Sequence, residues 1–168
     1  MKKVVRASLG TMIIVLLLGI IGLVIQILSV VAGASLIGYI KIINTVYSYL
    51  LIPSVIYLYF AAGARGTKKQ NMDPTEAGTT SALAYIGSST IMIIINAIIG
   101  LLIVNKILTI GLFRPPESVL ATIYLGNTSG MIGVAISAFC GLGATLVGGS
   151  ITFAIGALGS IYTTLSKK

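Results

Sequence analysis

Four long apolar stretches constrain this chain more than any other feature of its sequence. A helix needs about 18 or more apolar residues to cross the hydrocarbon of a bilayer. Residues 8–32, 81–104 and 130–164 meet that length, and residues 38–62 meet it with Lys41 near the start and polar side chains inside. Because irregular backbone is not stable in lipid, the sequence predicts four transmembrane helices and an all-α integral membrane protein.

Composition supports the same class. The chain has 168 residues, of which 57% are hydrophobic and 8% charged, whereas soluble domains carry roughly 25% charged residues. So few charges cannot cover a surface that faces water. We therefore expect one membrane domain with the lipid bilayer as its surroundings.

The basic residues predict the orientation of the helices. The net charge is +8, but the cations gather at the two termini and between the second and third spans, which argues against nucleic acid as a partner. With four spans these three segments share one side, and the positive-inside rule places that side, with both termini, in the cytoplasm of a cell membrane. The same side chains are expected to contact anionic headgroups: Lys2, Lys3, Arg6, Arg65, Lys68, Lys69, Lys167 and Lys168.

The first span has a competing interpretation as a signal peptide. Residues 1–6 resemble a basic leading segment, and residues 32–34 have the small side chains of a cleavage site. The apolar run from Leu9 to Val31, however, is much longer than the usual core of about 7–15 residues. We expect a retained first helix and an up-down bundle of four.

Two local patterns shape the middle of the chain. Pro53 falls near the centre of the second span, where it removes a backbone hydrogen bond and kinks a helix. Within the polar connection over residues 63–79, Asp73-Pro74-Thr75-Glu76 predicts a helix start, with Asp73 as N-cap and Glu76 bonding back to it. The third helix is therefore expected over residues 74–104.

The segment before the last span is too apolar for a free loop. Pro115 and Pro116 suit the start of a short helix over residues 115–125, which we expect to lie in the interface or to re-enter against the bundle. The last span itself has about 35 residues, or about 52 Å of helix, against a hydrocarbon core of about 30 Å. It must tilt, extend or break, and Gly148-Gly149 is the expected place to bend.

Small residues recur at every fourth position of the last span. One row runs from Cys140 to Thr164, and a second runs from Gly133 to Gly149. Two such rows predict a flat face on which another helix can pack closely in lipid, and part of that face is expected to contact another subunit, although packing within the bundle is the alternative. The predicted packing residues are Gly133, Ser137, Gly141, Ala144, Thr145, Gly148, Gly149, Thr152, Gly156 and Ser160.

Catalysis and metal binding have little support in this sequence. It contains no histidine, three acidic residues and one cysteine, and zinc or iron sites need clusters of such ligands. Serines and threonines have no base to activate them. We expect no enzyme activity, no cofactor and no metal, and we expect Cys140 to pack as a small buried apolar residue.

Three carboxamides lie at membrane depth: Gln26, Asn44 and Asn96. Such side chains usually hydrogen-bond between helices, and the alternative is that they line a polar path in an oligomer. The sequence therefore predicts a non-catalytic assembly subunit of a membrane complex or homo-oligomer. The alternative is a small oligomeric channel or permease-like pore lined by asparagine and small residues.

Overall fold

The computed structural model describes residues 2–31, 34–104 and 130–166, and within them the chain is helical with no strand. The predicted short helix over residues 115–125 lies outside the described residues. The described part contains four helices: α1 (Lys2–Val31), α2 (Ala34–Gln70), α3 (Pro74–Val104) and α4 (Gly130–Leu165).

All four helices are long and apolar enough to cross a membrane, which confirms the prediction of an all-α, multi-pass membrane protein. Helices α2 and α4 have 37 and 36 residues, or about 55 Å of helix at 1.5 Å per residue. Both exceed a hydrocarbon core of about 30 Å. Helix α2 is continuous through Pro53 and α4 through Gly148-Gly149, so neither interrupts its helix.

A tight turn joins α2 to α3 where the sequence predicted a longer connection. Helix α2 continues to Gln70, and Asn71 then adopts a left-handed φ of 49°, a conformation that asparagine tolerates better than most residues. The N–H of Met72 donates to the carbonyl of Gly66 at 3.5 Å, and the Met72 side chain is buried against the bundle. The turn therefore directs α3 back along α2.

The predicted N-cap of α3 is present in one of its two halves. The Asp73 carboxylate accepts a hydrogen bond from the N–H of Glu76 at 2.7 Å, which satisfies one of the free amides of the first turn. The reciprocal bond, in which the N–H of Asp73 would donate to the Glu76 carboxylate, does not form among the described residues, and that part of the prediction was wrong. Capping here is carried by Asp73 alone.

The helices pack around α2 and α3. Helix α4 packs mainly on α3 and also on α2, α1 packs on the same two helices, and no contact joins α1 to α4 within the described residues. The contacts between α1 and α3 follow the same order along both helices: Met12 lies against Gly87, and the later residue Gly19 lies against the later residue Met92. The contacts between α3 and α4 follow the opposite order: Ala77 lies against Gly156, and the later residue Tyr85 lies against the earlier residue Gly148.

Burial is concentrated at one end of this arrangement. That end contains the start of α1, the end of α2, the start of α3 and the end of α4. Its buried side chains include Val4, Ser8, Tyr59, Ala62, Met72, Ala77, Thr80, Ser81, Ala84, Ser88, Thr152 and Ser160. At the other end, most described side chains of α2 between residues 38 and 57 are exposed. Close packing therefore fixes one end of the bundle more than the other.

Candidate functional site at the small-residue seam of α4

The predicted small-residue face of α4 packs inside the chain from Thr145 to Ser160. Small side chains and glycines on this part of α4 are buried against α2 and α3: Thr145, Gly149, Thr152, Gly156, Gly159 and Ser160. We call this contact zone the seam. The small residues thus hold the chain's own helices together along the seam.

The rows do not stay on one face, and helix geometry explains why. With 3.6 residues per turn, a fourth residue lies about 40° further round the axis, so seven such positions sweep about 240°. Cys140 and Ala144 are accordingly exposed, while Thr152 and Gly156 in the same row are buried. The expectation that Cys140 is buried was therefore wrong.

Helix α4 meets α2 by direct backbone contact. A Cβ atom built on Gly63 would collide with the carbonyl oxygen of Gly156, and one built on Gly159 would collide with the carbonyl oxygen of Phe60. Close by, the Thr67 hydroxyl donates to the Ser160 hydroxyl at 2.7 Å. Backbone proximity of this kind is what small residues permit between helices in lipid.

Helix α4 meets α3 just as closely. A Cβ atom on Gly148 would collide with the Tyr85 hydroxyl, and one on Gly156 would lie 2.9 Å from the carbonyl oxygen of Ala77 and collide with the Ser81 hydroxyl. On the opposite side of the contact, a Cβ on Gly78 would lie 2.8 Å from a backbone oxygen of α4. Backbone atoms leave no space for a side chain at Gly78 and Gly156, whereas a side chain at Gly148 would require Tyr85 to move.

One polar contact in the seam joins α2 to α3. Ser81 is fully buried, and its hydroxyl donates to the carbonyl of Tyr59 at 2.9 Å. The Tyr59 ring is 1% exposed and packs edge-on to Tyr85, with ring centroids 6.0 Å apart and an interplanar angle of 73°. The Tyr59 hydroxyl is buried and has no hydrogen-bond partner of normal geometry within the described residues.

Other hydroxyls of the seam are satisfied within their own helix. Thr145 donates to the carbonyl of Gly141 at 2.8 Å, and Thr152 donates to those of Gly148 and Gly149 at 3.0 Å. Each of these hydroxyls has its proton engaged by its own helix and retains only acceptor capacity. The seam residues therefore contribute mainly close packing.

The predicted polar side chains within the membrane do not enter the seam. Asn44 is half-buried, and Asn96 is exposed with no hydrogen bond to its carboxamide among the described residues. The side chain of Gln26 lies outside the described residues. The Asn44 carboxamide also forms no hydrogen bond among the described residues, so Asn96 differs from it in being the more exposed of the two.

The structure describes the side chains of some, but not all, of the residues predicted to contact lipid headgroups. Lys3 and Arg6 on α1 and Arg65, Lys68 and Lys69 on α2 are exposed at the same end of the bundle. The side chain of Lys2 and the residues Lys167 and Lys168 lie outside the described residues, as do the surroundings of Gly133 and Ser137. Within the described residues, no group of His, Cys, Asp or Glu could hold a metal ion.

Sequence reasoning missed the α2 and α3 half of the seam. Gly63 and Thr67 fell in the expected connection after the second span, and Gly78 preceded the expected membrane segment. A usable signal existed in the spacing of Gly63 and Thr67, since small residues four apart mark helix contacts. Reading the second helix as ending at residue 62 hid that signal.

Fold and seam together define the class, a multi-pass helical membrane protein whose helices pack through small residues. Comparison of the chain with protein-family models, with curated proteins and with solved structures finds no match.

Proposed function

We propose that this protein is a non-catalytic assembly subunit of a membrane complex or homo-oligomer. The proposal rests on the exposed face of α2 between residues 38 and 57, which bears aromatic and polar side chains. This face lies on a helix that is long and apolar enough to span a membrane. Tyr49 is 76% exposed and Tyr57 is 67% exposed. The interface is thus proposed on α2, since much of the seam on α4 is already occupied within the chain.

Polar atoms on this face favour a protein neighbour over lipid. Proline has no N–H, so Pro53 leaves the carbonyl of Tyr49 without its helical donor. The hydroxyls of Tyr49 and Tyr57 form no hydrogen bond within the described residues, although buried tyrosine hydroxyls normally find partners. In hydrocarbon each unsatisfied polar group costs several kcal/mol. A second helix packed on this face could supply the missing donors and acceptors.

We further propose that the four helices form an up-down bundle with both termini in the cytoplasm of a cell membrane. Contacts between α3 and α4 that run in opposite directions, and contacts between α1 and α3 that run in the same direction, support it. The exposed cations near the start of α1 and the end of α2 lie at one end, as the positive-inside rule requires of a cytoplasmic face.

A cross-linking experiment in native membranes tests the proposed interface. The single native cysteine is first removed as Cys140→Ala, and Tyr49→Cys is added in that background. Leu17→Cys in the same background is the matched control, because Leu17 is also exposed, at 54%, on a wholly apolar stretch of α1. We expect oxidation to trap a species of one defined mass with Tyr49→Cys and none with Leu17→Cys.

Heteromeric assembly needs a second probe at the same positions. A photo-reactive phenylalanine analogue at position 49 should form an adduct of fixed mass and stoichiometry, and the same analogue at position 17 should not. A monomer in native membranes, with no adduct at position 49 by either method, would contradict the assembly proposal.

The exposed carboxamide of Asn96 favours a second candidate, an oligomeric channel or permease-like pore. An unpartnered carboxamide on a membrane helix is stable where it faces a bundle interior or a water-filled path. Purified protein in liposomes would then conduct ions, and Asn96→Leu would abolish conduction while Ile98→Leu, at a neighbouring exposed apolar position, would preserve it. Absence of ion conduction by the wild-type protein would contradict the pore hypothesis.

A further inference from the structure

A cleft of about 540 Å³ lies at the closely packed end of the bundle, between the start of α1 and the turn after α2. Ligand sites in proteins typically enclose about 300–1,000 Å³. Three cations and two carboxamides from two separate segments line the cleft: Lys3, Arg6, Lys69, Gln70 and Asn71.

Within the part of the chain that the structure describes, no acidic side chain neutralises the positive charges of this cleft. No acidic side chain lines it, and Lys3, Arg6 and Lys69 form no ion pair within the described residues. The nearest carboxylate in sequence, that of Asp73, already accepts the N–H of Glu76 at 2.7 Å. Three like charges around one cleft repel each other, and a bound anion would relieve that repulsion.

Helix dipoles separate these cations into two kinds. Lys69 lies in the last turn of α2, where a cation stabilises the helix. Lys3 and Arg6 lie near the start of α1, whose first turn has no acidic residue, and a cation there opposes the dipole. Helix stability does not account for the α1 cations, whereas an anion in the cleft would favour both them and the helix start.

The carboxamide side chains of Gln70 and Asn71 also line the cleft. The Oε1 atom of Gln70 is buried without a hydrogen-bond partner in the described residues. Asn71 is held at its left-handed φ of 49° by the turn, and it lines the cleft beside Lys69. The cleft thus combines three cations with one buried amide oxygen, an acceptor that has no partner among the described residues and does not itself bind an anion.

We propose that this cleft binds a phosphate group, supplied by the headgroup of an anionic lipid. Arginine and lysine form charge-assisted hydrogen bonds to phosphate oxygens, and the cleft lies at the ends of helices that are built to cross a membrane. Free inorganic phosphate offers the same chemistry from water and is the alternative source. This inference is independent of the proposed assembly role, because lipid binding and subunit contact are measured separately.

Lipid binding to the purified full-length chain tests the proposal. Native mass spectrometry in detergent would measure affinity for phosphatidylglycerol, with phosphatidylcholine as the lipid without net charge. We expect phosphatidylglycerol to remain bound at one stoichiometric site and phosphatidylcholine to be lost. Equal retention of both lipids would overturn the proposal, because then acyl chains rather than the phosphate charge would determine binding.

Charge-matched variants locate the site. Arg6→Gln and Lys69→Gln should each weaken phosphatidylglycerol binding about fivefold, and the double variant about 25-fold. Lys68→Gln is the control, since it removes the same charge from the neighbouring residue, which does not line the cleft. It should change affinity less than twofold. An equal loss with Lys68→Gln would show diffuse surface attraction and refute a discrete site.

Two further measurements complete the test. Arg6→Lys should restore most of the binding that Arg6→Gln loses, and far-UV circular dichroism should show unchanged helix content in every variant, since these side chains are exposed. Millimolar inorganic phosphate that displaces the lipid only when Arg6 is present would identify free phosphate as the ligand of the same site. Lipid binding that resists phosphate would identify the headgroup.

Discussion

Replacing Gly156 with alanine is the most direct test of the seam, because this glycine contacts two helices at once. Its carbonyl oxygen occupies the space of a Cβ on Gly63, and its own Cβ would lie 2.6 Å from the Cβ of Ser81 and 2.9 Å from the carbonyl oxygen of Ala77. Ser81 cannot rotate away freely, since its hydroxyl bonds to Tyr59 at 2.9 Å and the residue is fully buried.

The expected cost follows from three contributions. Overpacking a tight site typically costs about 1–3 kcal/mol, and losing the Ser81 hydrogen bond adds about 0.6 kcal/mol in a membrane. Replacing glycine in a helix returns about 0.5–1 kcal/mol. Gly156→Ala should therefore lower the free energy of unfolding by about 1–3 kcal/mol. Gly143→Ala is the matched control on the same helix, because nothing lies within 4 Å of its Cβ, and it should be neutral or stabilising.

Near-UV circular dichroism of the tyrosines during an SDS titration from mild detergent would report the loss of packing for each variant. Cross-linking at position 49 should be unchanged for Gly143→Ala. If Gly156→Ala proves as stable as Gly143→Ala, α4 does not pass this close to α2 and α3. If Gly156→Ala abolishes oligomers with an unchanged free energy of unfolding, the glycine serves an intermolecular contact instead.

Three further expectations can be measured in the same titration. Tyr59→Phe should leave the free energy of unfolding unchanged or raise it, because the Tyr59 hydroxyl has no hydrogen-bond partner among the described residues. Tyr47→Phe should lower the free energy of unfolding by about 0.6–2 kcal/mol, because the Tyr47 hydroxyl donates to the carbonyl of Leu18. The opposite order of stabilities would refute the hydrogen-bond assignment. Thr67→Val and Ser160→Ala should show a coupling of about 0.6 kcal/mol in a double-mutant cycle, and strict additivity would exclude their bond. Asp73→Ala should cost about 1 kcal/mol while Asp73→Asn retains the cap; equal losses would contradict capping.

Hydropathy and capping residues were enough to predict the helices. Long apolar runs determined their number, since lipid leaves few alternatives for the backbone. Asp73 and Pro74 determined where α3 begins, and that start agrees with the structure. The end of α2 was harder, because the residues after Ala62 are small or basic and hydropathy alone does not separate an aqueous extension of a helix from a loop.

The sequence alone could not predict which helices the small-residue rows of α4 contact. Their spacing identified close packing correctly in kind, but a four-residue step turns about 40° round the helix. The rows therefore divide between a buried part at Gly156 and an exposed part at Cys140. Their partners, Gly63 and Ser81, lie on other helices, and only tertiary packing determines which small residues meet.

The two ends of the bundle differ in what holds them, and this difference links the seam, the cleft and the α2 face. At one end, backbone contact at Gly63 and Gly156, the buried Met72 and the hydrogen bond from Thr67 to Ser160 fix three helices together. The basic cleft lies at this end, so its cations are presented on a well-packed support, as a specific anion site requires. At the other end α2 exposes Tyr39, Tyr49 and Tyr57, and none of its described side chains between residues 38 and 57 is fully buried. Since regions with few buried contacts are the ones that open or rearrange most easily, a partner helix on α2 would stabilise the part of the fold that the seam leaves unsupported.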